Sequence, residues 1–296
     1  MLLHSIKEEI FSNDYIFSLK RIVTIISLVS FFTVIIIWNY IGLFLDEILL
    51  YPMLKTFNYI KSNVTYIQTP TFIVGNARSG TTWLHRLLAL DKETFTAMRT
   101  WEMVFAISLS WKLFFYLFYI IDEALFNSCL LALLLKVEYK IIYQNNDKST
   151  YLHPVGLMEV EEDEWLMVYI GYSQLITLFF PLGLGYLGDV IAWHKGVNDQ
   201  SVAMKKYVMS FYAYCIEKHI LYKQLTSQHS NSNSNTVVYL SKNPAFTLRI
   251  PSLYEQFPDA KIVCLIRDPG ESIPSMISYI AQVSIYNTIL YLVYYS

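Results

Sequence analysis

Arg78, Ser79, Gly80, Thr81 and Thr82 place one cation, three hydroxyls and a glycine in five consecutive residues. They follow Thr71-Phe72-Ile73-Val74-Gly75, an apolar run that reads as a short buried strand. They precede Trp83, Leu84, Leu87 and Leu88, which recur at helical spacing. A strand, tight loop and helix in this order aim backbone N–H groups and a helix N-terminus at one point, which attracts a phosphate or sulfate. The helix end alone contributes about 0.3–1 kcal/mol per charge. The arginine and the two threonine hydroxyls are therefore needed to hold a doubly charged group. Two later stretches carry related chemistry. Arg267-Asp268-Pro269 follows a strand directly, and Pro269 can open a helix whose first turns carry Ser272 and Ser275. An arginine and a hydroxyl at a helix start suit a terminal phosphate monoester. Ser241-Lys242-Asn243-Pro244 follows another strand and places a cation beyond its end.

The first loop nearly spells G-x-x-x-x-G-K-[ST], the phosphate loop of nucleotide-cleaving enzymes. Gly75 and Gly80 are correctly spaced and Thr82 holds the hydroxyl position, but Thr81 fills the lysine slot. An ATP- or GTP-cleaving enzyme uses that lysine on its β- and γ-phosphates. Here the cation has moved into the loop as Arg78, which suits a shorter anion.

Arg78-Ser79-Gly80-Thr81-Thr82-Trp83 resembles the 5′-phosphosulfate loop of sulfotransferases that use 3′-phosphoadenosine 5′-phosphosulfate (PAPS). Arg267 and Ser275 resemble that family's 3′-phosphate site, and Phe257-Pro258-Asp259-Ala260-Lys261 its lead-in. Lys242, in Lys242-Asn243-Pro244-Ala245-Phe246-Thr247-Leu248, is similar to the lysine beside the bridging oxygen of the phosphosulfate, above all in the tyrosylprotein branch. Some relatives carry a histidine four residues after it; Phe246 stands there instead. Glu102, in Thr100-Trp101-Glu102, resembles the glutamate that accepts the acceptor hydroxyl's proton in membrane-bound members. Burial beside Trp101 is expected to raise its pKa into a useful range. The acidic run Glu161-Glu162-Asp163-Glu164 is a second source of a base, although it also reads as a solvated helix start. The resemblance implies a sulfuryl transferase with PAPS as co-substrate, a hydroxyl of a carbohydrate, lipid or protein tyrosine as acceptor, and no metal. It implies catalytic roles for Glu102, Lys242 and Arg78. Arg78, Ser79, Gly80, Thr81, Thr82, Trp83, Arg267 and Ser275 would bind the nucleotide.

Strands ending at Gly75, near Leu240 and at Ile266 alternate with helical segments, which predicts an α/β fold with a parallel sheet and helices on both faces. The resemblance makes it a P-loop-like three-layer sandwich. Ligands in such folds lie beyond the carboxyl ends of the strands, where all three stretches fall. Residues 199–225 read as an amphipathic helix, 228–235 as a polar loop, and 103–135 as two helices packed against a membrane surface. The acidic pair Asp122-Glu123 argues against a second span there. Trp165 to Gly188 is uncharged, but its polar residues, proline and glycines break a membrane pattern.

Of the 296 residues, 54% are hydrophobic and only 16% charged, which points to membrane contact. A net charge of −2 gives no electrostatic basis for nucleic acid binding. Ile22 to Leu45 carries no charge, and its 24 residues would extend about 36 Å as a helix, enough to cross a bilayer. Lys20 and Arg21 before it and Asp46 and Glu47 after it predict a cytoplasmic amino terminus. The expected plan is a cytoplasmic tail (1–21), a transmembrane signal-anchor (22–45), a stem (46–70) and a domain (71–296). That makes a single-pass type II protein of the Golgi or another secretory membrane. Asn63-Val64-Thr65 is a glycosylation acceptor if that side is lumenal. Cys264 reads as core, and a bond between Cys129 and Cys215 is compatible with a lumen. The chain ends 21 residues after Ser275, earlier than the family resemblance implies, so a carboxyl-terminal truncation is expected. Two other readings stand beside this one: a nucleotide kinase or other NTPase, and a non-catalytic membrane relative.

Overall fold

The computed structural model describes residues 19–56, 67, 69–140, 156–173, 175, 201–226 and 238–286. The expectations for Asn63, the polar loop at 228–235, residues 176–188 and the tail beyond 286 lie outside them.

Strand β1, Thr71–Gly75, is buried at all five positions because it has a neighbour on each side. A four-stranded sheet runs β2-β3-β1-β4, with β2 at Phe95–Thr96, β3 at Val238–Lys242 and β4 at Lys261–Leu265. Each pairing is parallel. Ile73 stands opposite Lys242, and Gly75 opposite Leu265. That register brings the carboxyl ends of β1, β3 and β4 to one edge, as the parallel-sheet expectation requires.

Helix α1, Leu19–Leu45, is continued by a π-helical turn at Asp46–Leu50 and by α2, Tyr51–Thr56. After β1 come α3 (Thr81–Leu88), α4 (Thr100–Val104), α5 (Leu109–Phe126), α6 (Cys129–Tyr139) and α7 (Trp165–Val168). The long α8 spans Val202–Thr226, α9 Ile250–Gln256 and α10 Pro269–Tyr286. Phe72 and Val74 of β1 and Tyr239 of β3 meet Met209, Tyr212, Cys215 and Ile216 of α8 in the main core. Tyr212 stands edge-on to Phe246 at 4.9 Å between centroids, and Phe257, just past α9, lies 5.5 Å from Phe72. Residue 246 is thus a core aromatic. The stretch expected to be an amphipathic helix is helical, and its buried residues from Val208 to Tyr222 include Lys218 and His219.

Three expectations change. Residues 46–56, assigned to a stem, are helical and joined to the domain: buried Asp46 accepts from Leu109 N, Ser110 N and Ser110 Oγ, and pairs with Lys218 at 2.9 Å. The second half of α1 is docked as well. Asn39 donates to the Val104 carbonyl and accepts from Ile107 N, and Trp38 stacks on Trp111 at 3.9 Å. A Cβ on Gly42 would lie 2.3 Å from Ser108 Oγ, so the approach needs a glycine. Cys264 is exposed rather than core, because β4 is an edge strand, and all three cysteines are free thiols.

Candidate anion cradle at the strand ends

The loop between β1 and α3 is shaped by its backbone. Gly75 has φ +136°, and a Cβ there would lie 2.3 Å from the Leu265 carbonyl oxygen. Only glycine lets β1 and β4 approach so closely. Arg78 and Gly80 follow in left-handed conformations, at φ +68° and +91°. Left-handed residues in such a turn swing successive N–H groups toward one side. Gly80 caps α3, and the first helical bond runs from Leu84 N to the Gly80 carbonyl. The N–H groups of Thr81, Thr82 and Trp83 precede that bond and point out of the helix end. Ser79 Oγ is buried without a hydrogen-bond partner. The Trp83 side chain is 70% exposed.

The last strand and helix meet this loop. Arg78 Nε donates to Ser275 Oγ at 3.0 Å, although the two residues lie 197 apart in sequence. An Arg267 terminal nitrogen donates to the Arg78 carbonyl at 3.0 Å, and its Nε to Glu271 at 2.9 Å. The Arg78 guanidinium also sits 5.5 Å above the Tyr279 ring. Thr247, in the 3₁₀ turn Pro244–Leu248 after β3, accepts from Gly75 N at 2.8 Å. All three stretches singled out in the sequence therefore converge on one edge of the sheet.

The acidic run enters this cluster, contrary to the reading of a solvated helix start. Glu161, Asp163 and Glu164 are buried, and each of the four carboxylates has its own partner. Glu161 takes Arg86 of α3 at 2.6 Å and Glu162 takes Lys242 at 2.8 Å. Asp163 accepts from Tyr212 and Tyr239, and Glu164 accepts from Asn243 at 3.0 Å. Burial raises the Asp163 carboxyl to about 6, against the pull of its hydroxyl donors. Lys242 is only 3% exposed, whereas the Glu162 side chain keeps 24% of its surface. His85 lies behind Lys242, buried and with both ring nitrogens unpartnered; burial and the Lys242 charge lower its pKa to about 4, so it is neutral. Spacing hinted at the acidic run, but nothing in the sequence named its partners or Tyr279.

Glu102 does not have the environment expected of a base. It is fully buried, and its Oε2 accepts from Arg99 N at 2.8 Å, closing the start of α4. Its Oε1 faces Lys223 at 3.3 Å and His219 Nδ1 at 3.5 Å. Burial alone would raise its pKa; His219, Lys112, Lys223 and the Arg99 N–H together reverse that and hold it at about 2. A carboxylate held so far below neutrality is a poor proton acceptor. Among the described residues no cluster of three metal-ligating side chains occurs.

The sequence matches the profile described as Sulfotransferase family over residues 70–115 and 190–291, together half of the chain. The chain belongs to the sulfotransferase family. The matched regions contain the whole first loop, Lys242, Arg267 and Ser275, but not the acidic run. Two solved sulfotransferases share the fold. Sulfotransferase STF9 from Mycobacterium avium is 16% identical with a TM-score of 0.59, over 95% of this chain and 60% of that one. Sulfotransferase STF1 from Mycobacterium tuberculosis H37Rv is 17% identical with a TM-score of 0.57, over 94% of this chain and 63% of that one. This sulfotransferase chain thus spans less than two thirds of either solved protein. Among curated proteins there is no match.

Proposed function

We propose that this protein transfers the sulfuryl group of PAPS to the hydroxyl of a carbohydrate, lipid or protein-tyrosine acceptor. The observation that carries the proposal is the direct contact of the two nucleotide-binding stretches, Arg78 with Ser275 and Arg267 with the Arg78 carbonyl. One nucleotide lying across them would have its 5′-phosphosulfate at Arg78, Ser79, Gly80, Thr81, Thr82 and the Trp83 N–H. Its 3′-phosphate would lie at Arg267 and Ser275. The Ser79 hydroxyl, buried and unpartnered, is a donor held ready for an anion.

Lys242 then holds the bridging oxygen. As the sulfur–oxygen bond breaks, its electron pair stays on the 5′-phosphate, and a buried ammonium group stabilises that charge. The acceptor hydroxyl gives up its proton as its oxygen bonds to sulfur. We assign that proton to Glu162 rather than Glu102, because Glu162 lies 2.8 Å from the Lys242 ammonium and remains partly open to solvent. Glu102 becomes a structural residue that fixes α4. We further propose that α1 anchors the chain as a single-pass type II protein of a secretory membrane such as the Golgi, with the domain lumenal.

Adenosine 3′,5′-bisphosphate should raise the unfolding temperature at concentrations where ATP with Mg²⁺ does not. The opposite order would assign an NTPase instead. Binding of the bisphosphate without sulfate transfer to any acceptor of the three classes would mark a non-catalytic relative.

A further inference from the structure

We propose that the bent helix pair α5–α6 enters the bilayer as a re-entrant element, with its tip, residues 125–130, surrounded by lipid. Helix α6 reads CLLALLLKVEY and has no buried residue. A helix that is apolar on every side needs cover from protein or from hydrocarbon. On α5 the inner positions Leu109, Leu113 and Tyr116 pack against Leu50, Tyr51 and Leu54, while Phe114, Leu117, Phe118, Ile121 and Leu125 are exposed. So large an apolar surface exceeds what a soluble chain normally leaves in water.

The turn at the tip is paired internally, as a hydrocarbon surround requires. The chain reverses at Asn127 and Ser128, both left-handed, and the two helices meet at 112°. Asp122, only 1% exposed, turns back into this bend. Its carboxylate accepts from Leu130 N at 3.1 Å and Leu131 N at 2.9 Å, and its carbonyl from Ser128 N at 3.1 Å. Water would satisfy those helix-start N–H groups on a soluble protein; hydrocarbon cannot, so each must be paired internally. Between Leu113 and Leu135 the one other charge is Glu123, which is bonded to Tyr119. Lys136, Glu138 and Lys140 mark the watery end of α6, where Glu138 accepts from Leu157 N. The surface also continues onto α1, whose outward residues Val34, Ile37, Ile41 and Phe44 are exposed while Trp38 stacks on Trp111 of α5. At 11 residues, α6 is about 16 Å long, too short to cross a core of about 30 Å. The pair therefore dips in and returns.

Cys129 sits at the tip and is exposed, as is Cys264 on β4, while Cys215 is buried. The full chain in phosphatidylcholine–phosphatidylserine vesicles, as Cys264→Ser and as Cys129→Ser, leaves one accessible thiol in each case. A charged, membrane-impermeant maleimide should label Cys129 about tenfold or more slowly than Cys264, because hydrocarbon excludes the reagent. A fluorophore on Cys129 should be quenched by lipids with nitroxides on their acyl chains, and one on Cys264 should not. Equal labelling of both thiols would overturn the proposal. So would a protected Cys129 that escapes lipid quenching and cross-links to Cys129 of another copy, which would give this face to a dimer. Flotation of the vesicles reports separately on α1: floating protein with a wet Cys129 defeats the re-entrant pair and leaves the anchor standing.

Discussion

At the carboxyl end of β3, Lys242 and Asn243 are buried and already paired, with Glu162 and Glu164. At the carboxyl end of β4, Ile266 is 92% exposed and the Arg267 side chain is 42% exposed. The β3 wall of the cradle is thus assembled before any ligand arrives, and the β4 wall holds its cation in water beside Glu271. A buried ammonium group acts on developing charge with little screening; an exposed guanidinium mainly adds binding. On the proposed function, the first wall would serve chemistry and the second affinity.

The sharpest way to break this division is at Lys242 and Glu162. Lys242→Ala should lower sulfuryl transfer by about 10²–10³-fold, and Glu162→Gln by about 10²-fold or more. Bisphosphate binding, read by calorimetry, should change far less in both. An equal loss of binding would move these residues to the affinity side. Next in size is Glu102→Gln, which leaves Lys112 and Lys223 without their buried anion and should cost about 3 kcal/mol in urea unfolding. Below the unfolding transition its turnover should be near normal. Because Glu102 is held at about 2, below its ordinary 4.5, the wild-type advantage should be complete above pH 4.5 and vanish as pH falls toward 2. An advantage that persists at pH 2 would refute the capping role.

On the β4 wall, Arg267→Ala should weaken adenosine 3′,5′-bisphosphate by about 10–100-fold, the value of a charge-assisted hydrogen bond. Its unfolding temperature should change little, since both hydrogen bonds of the side chain lie at the exposed surface. Ser275→Ala should have the smallest effect, about 3–10-fold in the same titration, corresponding to one neutral hydrogen bond. A collapse of turnover with binding intact in either variant would show that this wall also does chemistry.

Glu102 and Glu162 show where reading the sequence stops. Glu102 stands between Trp101 and Met103 and Glu162 between Glu161 and Asp163, and burial was expected to raise the pKa of the first. Lys112, Lys223 and His219, up to 121 residues further along the chain, surround it and reverse that effect. No spacing rule brings them together. In the same way, α1 reads as a free anchor because Ile22 to Leu45 carries no charge, yet Asn39, Gly42 and Trp38 tie its second half to residues 104–111.

The amino-acid order by itself settled the strand, loop and helix from Thr71 to Leu88, the parallel sheet and the stretches that end in Lys242 and Arg267. Apart from the sheet, which the alternation of strands and helices implied, those are local matters of periodicity, glycine and turn chemistry, complete within about twenty residues. Tertiary structure alone decided which carboxylate faces Lys242, that β4 lies at an edge with Cys264 in water, and that the four carboxylates of the acidic run go to different partners. Each depends on which distant side chains share a buried space, and burial fixes both the partner and the charge state it imposes.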